Sequence, residues 1–237
     1  MNWLDRTELL LGTEKINQLK DMNVLVAGMG GVGAYAAEMI CRAGVGKMTI
    51  ADSDVVEVTN RNRQLPALMS TTGRLKTNIM AARFKDINPE IELTEVNEYL
   101  TEENIPELLD KNQFDFVVDA IDTIAPKVSL ISNSIQRGLK IASSMGAGGR
   151  TDPSKVQIAD ISKTHHCNLA RMVRHRLQKQ GIHKGLPVIF SSESVKPGTF
   201  REQEGKNKRS VVGTISWMPA IFGCFLAGEV VNTLLEI

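Results

Sequence analysis

Cysteine is scarce in this chain: Cys41, Cys167 and Cys224 are the three in 237 residues, far apart and without paired spacing. That excludes a disulfide framework and a zinc knuckle, and it suits a reducing cytoplasm. Net charge is equally thin, with 28 basic against 27 acidic residues. No global field therefore attracts a polyanion, and any nucleic-acid contact has to come from a local patch. The N-terminus carries Asp5 and Glu8 and no apolar signal core, which argues against secretion. Residues 211–237 are the most apolar segment, but Glu229 and Asn232 interrupt it. Its unbroken part falls short of the roughly 20 residues that a membrane span needs. A helix buried against a sheet is the better reading, with peripheral membrane association as the alternative. There are no internal repeats and no low-complexity segment.

Against these absences, residues 24–33 stand out. Val24-Leu25-Val26-Ala27 reads as a buried strand, and Gly28-Met29-Gly30-Gly31-Val32-Gly33 as a glycine-rich turn opening a helix. Such a turn lets the backbone approach a phosphate closely, while the helix N-terminus offers N–H donors and partial positive charge. The pattern predicts a nucleotide site, and alone it serves dehydrogenases and adenylating enzymes alike.

Apolar runs then alternate with helical patterns, as in repeated βαβ units. Strands are expected over residues 23–27, 47–51, 91–96, 116–119 and 140–144, with helices over 32–43, 73–88, 101–109 and 125–138. Past Gly149 a strand is expected over 156–161, a basic amphipathic helix over 169–180 and a short strand over 188–192. Residues 197–209 read as a mobile polar loop, and the tail from Ser210 as a strand and final helix closing the sheet. The expected fold is α/β, a doubly wound Rossmann-like, mostly parallel sheet with a C-terminal mixed extension of the same sheet. A single domain over residues 1–237 would divide into a nucleotide-binding core, 1–150, and a substrate-facing, sheet-closing part, 151–237.

In open α/β sheets, ligands bind at the carboxyl ends of the strands near the switch in strand order. Asp52 and Asp54 follow the second strand. Asp52 also stands about 20 residues past the glycine turn, where a dinucleotide fold places its ribose-binding carboxylate. That keeps a nicotinamide-dependent oxidoreductase open. Asn60-Arg61-Asn62-Arg63-Gln64 and Lys76 fit hydride transfer less well: guanidinium and ammonium groups suit charge developing on a phosphoryl group in transit. Asp122 would hold magnesium, a cation that takes hard oxygen ligands and substrate phosphates. Each has a plain alternative, as a solvated loop charge for Arg61 or Arg63, an exposed helix residue for Lys76 and a helix N-cap for Asp122. Their convergence on one sheet edge favours function.

Taken in order, Gly28-x-Gly30-Gly31-x-Gly33, Asp52-x-Asp54, Asn60-x-x-Arg63-Gln64, Lys76 and Asp119-x-x-Asp122 resemble the adenylation core of the ThiF/MoeB/HesA family, which includes the catalytic domain of ubiquitin-activating enzymes. The resemblance covers about residues 1–150 and implies ATP-dependent activation of a carboxylate, releasing pyrophosphate. It implies that Asp52 binds the ribose, that Asn60, Arg63 and Lys76 bind the phosphates, and that Asp122 holds Mg2+. Gly28, Gly30, Gly31, Gly33, Asp54 and Gln64 complete the nucleotide site. Arg6-Thr7-Glu8-Leu9-Leu10-Leu11-Gly12 is similar to the family's N-terminal helix. By that likeness the chain forms a homodimer, with Arg6 reaching the partner's nucleotide.

Members that charge ubiquitin-like sulfur carriers typically have a C-terminal pair of CxxC motifs, and many have a nucleophilic cysteine; neither feature is secure here. Instead, 146–156, 160–164, Leu169-Ala170-Arg171 and Arg174-His175-Arg176-Leu177 resemble the branch of the family that uses ATP to cyclise the threonylcarbamoyl group of a tRNA adenosine. That extends the resemblance over nearly the whole chain and implies a tRNA partner. A sulfur-transfer protein is a further candidate partner. The substrate carboxylate is already ionised at neutral pH, so no general base is needed, and proximity within one side chain replaces a covalent enzyme intermediate. The alternative within the family is adenylation of a ThiS/MoaD-type carrier. Arg171, Arg174, His175, Arg176 and Lys179, with Lys184, Lys196 and the 206–209 cluster, form a candidate tRNA patch. His165-His166-Cys167 lacks partners for a metal site, and Trp217 and Phe222 read as core.

Overall fold

The structure, a computed structural model, describes residues 2–196, 198–202 and 210–237. Helices α1 (Asp5–Leu11) and α2 (Thr13–Asp21) lead into β1 (Asn23–Ala27), α3 (Gly33–Ala43), β2 (Lys47–Ala51), α4 (Lys76–Ile87), β3 (Glu92–Val96) and α5 (Asn104–Lys111). There follow β4 (Phe116–Asp119), α6 (Ile124–Gln136), β5 (Lys140–Ser144), β6 (Val156–Asp160), α7 (Asn168–Gln178) and β7 (Pro187–Ser191). The chain ends with β8 (Phe200–Glu202), β9 (Ser210–Val212) and α8 (Trp217–Leu235).

Seven strands form one sheet in the order β3-β2-β1-β4-β5-β7-β6. Every pair is parallel except β6 with β7, which is antiparallel. The doubly wound sheet with a mixed C-terminal extension is thus the one expected. β1 and β4 are its central strands, and their apolar runs are buried because helices cover both faces. One face carries α3, α4 and α8, the other α5, α6 and α7. Strand order reverses between β1 and β4, which makes their carboxyl ends the natural ligand crevice.

Three expectations need correction. Helix α4 starts at Lys76, three residues after the expected 73, because Gly73 sits at φ +85°, outside the helical region. The strand at Ser210 does not close the main sheet. It pairs antiparallel with β8 as a separate ribbon, so part of the expected mobile loop is strand. The ribbon is held over the turn after β5, where Gly149 N–H donates to Gly213 O at 2.8 Å and Lys196 N–H to Gly149 O at 3.2 Å. The 206–209 basic cluster lies outside the described residues.

The apolar tail does form the expected helix. α8 has a mean hydropathy of 1.5, and half of it is buried. Gly223 is where α8 meets α3: a Cβ there would lie 2.6 Å from Val32 O and 2.7 Å from Tyr35 Cβ. The hydrophobic run is therefore accounted for by helix-on-helix packing.

Candidate active site

The glycine turn leaves β1 with Gly28 at φ +97°, a conformation that favours glycine. A Cβ on Gly28 would sit 2.8 Å from Ala120 O, and one on Gly33 would overlap Gly28 O. Both positions therefore demand glycine, and they press the turn against the residues that follow β4. Helix α3 opens with Val32 as its cap and no side-chain hydrogen bond to its first N–H groups. Those donors face the carboxyl edge of the sheet and suit an anion.

Asp52, directly after β2, is tied to this turn. Its Oδ2 accepts the Met29 N–H at 2.7 Å, and its Oδ1 accepts the Asp54 N–H at 2.8 Å. Burial pushes its carboxyl above the ordinary range, and Lys76 opposes that shift. Lys76 is the first residue of α4, and its side chain is only 5% exposed. Its ammonium lies 2.7 Å from Asp54 and 4.0 Å from Asp52. The exposed-helix alternative for Lys76 is thus excluded, and Asp54 joins the site through it.

The 60–64 segment lies beside the glycine turn, with Arg63 Cγ 3.5 Å from where a Cβ on Gly31 would be. Asn60 is buried and uses its Oδ1 to accept Glu57 N–H at 3.1 Å, which fixes a short helical turn. Arg63 is half-buried, its Nη1 donating to Thr59 O at 3.1 Å and Asn62 Oδ1 at 2.9 Å. Burial lowers the Arg63 pKa, while the nearby Asp122 carboxylate favours its charged form. Arg63 and Asp122 are therefore brought together although 59 positions separate them in sequence. Thr123 occupies the cap position of α6 without a side-chain hydrogen bond to the helix, and Asp122 stands one residue before it. Gln64 Oε1 is buried with no hydrogen-bond partner among the described residues, and Gln64 Nε2 lies 3.9 Å from where a Cβ on Gly30 would be. A buried amide oxygen without a donor is costly, and a ribose hydroxyl or a purine amine would satisfy it.

Arg6 is not brought to this cluster. It is exposed on α1, and neighbouring Leu4 packs at 3.0 Å from the position of a Cβ on Gly44, the residue that closes α3 at the end away from the glycine turn. Across 11 residues of helix that separation is about 16 Å.

Further along the edge, a cavity of about 290 Å³ is lined by His165, His166, Asn168, Arg171 and Arg174, among others. Arg174 is not a spare cation: it donates to Ile161 O at 3.2 Å and Thr164 O at 3.1 Å, and also bonds the Thr164 hydroxyl. It is half-buried and lines the same cavity, so the expected basic patch contains one arginine anchored to the fold. The three-residue run also has structural work. His166 Nδ1 meets Ser192 O at 2.9 Å, His165 packs edge-on against Phe190, and Cys167 Sγ accepts Ala170 N–H at the start of α7. Buried Arg150 secures the segment, donating to His166 O at 2.7 Å and Glu193 O at 3.0 Å. Phe222 is core as expected, but Trp217 is 44% exposed. Its indole N–H donates to Thr151 O at 3.1 Å, because it stands at the first residue of α8, before the helix enters the core.

Sequence reasoning missed Lys127. Its side chain is 0% exposed and pairs with Asp119, also 0% exposed, at 2.7 Å. The available signal was that Lys127 is the one charged residue among the 13 of α6.

This geometry has close counterparts. The model of the ThiF family matches residues 4–237. A tRNA threonylcarbamoyladenosine dehydratase of Bacillus subtilis is 42% identical over 246 aligned positions, covering 100% of this chain and 96% of the relative. The enzyme of the same name from Haemophilus influenzae is 36% identical over 94% of this chain and 89% of its own. Among solved structures, Escherichia coli TcdA in complex with AMP superposes with a TM-score of 0.88 at 32% identity, covering 98% of this chain and 93% of that one. The complex of TcdA with ATP superposes at 0.87 with the same identity and coverage. With an adenylation-type cluster at the β1/β4 crevice and these matches along its length, this chain belongs to the ThiF family.

Proposed function

We propose that this protein uses ATP to dehydrate threonylcarbamoyladenosine in tRNA, closing the side chain into a ring through an adenylated carboxylate. One observation carries the reading: uncapped helix N–H groups, the Asp52 carboxylate, the Lys76 and Arg63 cations and Asp122 converge on the β1/β4 crevice. The relatives that match over nearly the whole chain bear the name of this activity, and the Escherichia coli structure was solved with ATP bound.

ATP would lie with its ribose on Asp52, its phosphates over the glycine turn and an adenosine donor on Gln64 Oε1. Asn60, Arg63 and Lys76 would face the phosphates. The substrate carboxylate, already ionised, attacks the α-phosphate and pyrophosphate leaves. Arg63 and Lys76 offset the negative charge that develops, the kind of preorganised stabilisation that dominates such reactions. Nitrogen or oxygen of the carbamoyl group then attacks the activated carbonyl, AMP departs and the ring closes, with proximity in one side chain supplying the rate. The reaction as proposed calls on no enzyme thiol: burial pushes the Cys41 thiol up to about 12 and raises that of Cys224, which leaves both as poor nucleophiles at neutral pH, and Cys167 Sγ is engaged by the Ala170 N–H at the start of α7.

The donors at Asp122 fit magnesium. A single carboxylate beside the phosphates matches a cation that usually keeps waters and binds one or two protein carboxylates with substrate phosphates. When bound, it would neutralise phosphate charge.

For tRNA we favour the surface that continues from the crevice to α7, where Arg171, His175 and Arg176 are exposed. A tRNA substrate also suits a cytoplasmic protein. A homodimer accounts for α1: Leu9 and Leu10 are 88% and 82% exposed there, and Arg6 needs a second copy to meet a nucleotide.

The test is direct. Given tRNA bearing threonylcarbamoyladenosine, ATP and magnesium, the protein should produce a nucleoside lighter by one water, read by mass spectrometry under conditions that spare the cyclic product. Pyrophosphate release stimulated by a carrier protein ending in Gly-Gly, and not by the modified tRNA, would transfer the assignment to sulfur-carrier activation.

A further inference from the structure

The pair formed by Asp119 and Lys127 is fully buried, and buried ion pairs are poor sources of stability, often matched by apolar residues of the same volume. What this pair holds is more informative. Asp119 ends β4, and its Oδ2 accepts the Ser143 hydroxyl of neighbouring β5 at 2.5 Å as well as the Lys127 ammonium at 2.7 Å. Its Oδ1 accepts Ile121 N–H at 3.1 Å, and Lys127 Nζ donates to Ile121 O at 2.8 Å. Both backbone polar groups of Ile121 are thus clamped by one buried network, a single residue before Asp122. From the other side, Ala120 N–H donates to Ala27 O at 2.9 Å, and Ala120 presses on the glycine turn.

We infer that Lys127 is a positioning residue: through Asp119 and the Ile121 carbonyl it fixes the 120–123 turn, and so sets Asp122 against Arg63 and the glycine turn for the adenylation step. The Lys127 side chain is 0% exposed, so it acts through the turn and not on a ligand directly. The inference rests on the proposed role of Asp122, but the clamp on Ile121 is a separate claim that can fail separately. Catalytic groups need placement within fractions of an ångström, and a misplacement of 1 Å costs on the order of 100-fold in rate. The fully buried ion pair and its two backbone bonds supply such placement, where an apolar side chain at 127 would leave Ile121 O without its donor.

The experiment pairs Lys127→Met with Ser143→Ala, which keeps the ion pair, and reads two quantities. The first is hydrogen exchange in a peptide covering 119–123; the second is pyrophosphate release with modified tRNA. In Lys127→Met the amides of this peptide should exchange at least roughly tenfold faster while the glycine-turn peptide is unchanged. Turnover should fall on the order of 100-fold, with little change in the KM for ATP. Ser143→Ala should move both readouts in the same direction by less. An Ile40→Val core variant serves as a stability control and should leave the 119–123 peptide unaltered. Wild-type exchange and turnover in folded Lys127→Met would overturn the inference. If that variant does not fold, wild-type behaviour of Ser143→Ala overturns it instead. Full activity of Asp122→Ala would defeat the site reading, whereas the exchange arm would still decide whether Lys127 holds the turn.

Discussion

At the glycine turn, Asp52 uses both carboxylate oxygens on backbone N–H groups and Lys76 rests against Asp54. Along α7, by contrast, Arg174 is bonded to backbone carbonyls, while Arg171 and Arg176 project from an exposed face. The two regions share the carboxyl edge of one sheet and are built in opposite ways. For the nucleotide proposed at the first, ligands held by the fold before it arrives avoid the cost of ordering them on binding. On the proposed function, the α7 cations would meet a tRNA backbone, which is long and deformable and asks for charge and reach more than placement. Arg174 marks the boundary between the two, a cation inside the basic helix that belongs to the frame.

The sharpest way to break this contrast is at the rigid end. Lys76→Ala, Arg63→Ala and Asp122→Ala should each leave a folded protein whose ATP-dependent pyrophosphate release is lower by orders of magnitude, since loss of one preorganised donor costs about 2.7–4 kcal/mol of transition-state stabilisation. Near-wild-type turnover in folded Lys76→Ala would remove it from the phosphate site. Almost as large, and dependent on the dimer, is the effect of Arg6→Ala. Mixing it with Asp122→Ala should restore part of the activity, because a hybrid site keeps both residues. A mixture that stays inactive after verified subunit exchange would show that Arg6 does not act across an interface.

At the compliant end the effects are smaller and of a different kind. Arg171→Gln with Arg176→Gln should weaken tRNA binding, and the slope of log affinity against log salt should flatten by roughly 0.9 for each phosphate no longer neutralised. ATP binding should be untouched. Arg174→Ala should instead lower stability by about 1.5–3 kcal/mol, the usual worth of hydrogen bonds to a charged group. Equal behaviour of the three arginines in both assays would erase the distinction between the two regions.

Asp52 gives a pH test with a definite sign. Its folded pKa is raised by burial, so its contribution to stability is greatest below the unfolded value, about 3.9, and is lost as pH rises through the folded value. Ribose binding needs the charged acceptor, so ATP affinity measured by calorimetry should weaken as pH falls through that raised value, above the ordinary carboxylate range. Asp52→Asn should lose this dependence, and a profile unchanged in that variant would assign it elsewhere. The smallest effect is expected for Cys167→Ser. Serine is a good helix cap, so turnover and melting temperature should stay close to wild type. Inactivation without unfolding would reinstate a thiol in the chemistry.

Much of this was legible because it is local. Gly28 and Gly33 are dictated by a turn that leaves no room for Cβ, and the strands around them by apolar runs that only a sheet covered on both faces accommodates. The Asp119-x-x-Asp122 spacing likewise marked the crevice. What could not be read depended on partners distant in sequence. Nothing local to Arg174 distinguishes it from Arg171, since its role is set by the carbonyls of Ile161 and Thr164. Trp217 carries the same apolar signal as Phe222, yet one is half-exposed and the other buried, because α8 reaches the core only after its first residue. The strand at Ser210 has β character, but pairing is a choice among edges, and β8, only a few residues upstream, offers it a closer one.

By itself, then, the sequence determined the alternation of strands and helices, the phosphate-binding turn and the residue types of an adenylation site, since periodicity, glycine sterics and charge act over a few neighbouring positions. Only the tertiary structure decided that Arg63 comes within electrostatic reach of Asp122, that Arg6 lies away from its own crevice and that Lys127 is buried against Asp119. Those outcomes depend on the crossover connections that bring distant strand ends together at one edge, and on desolvation there, which compels each buried charge to find a partner.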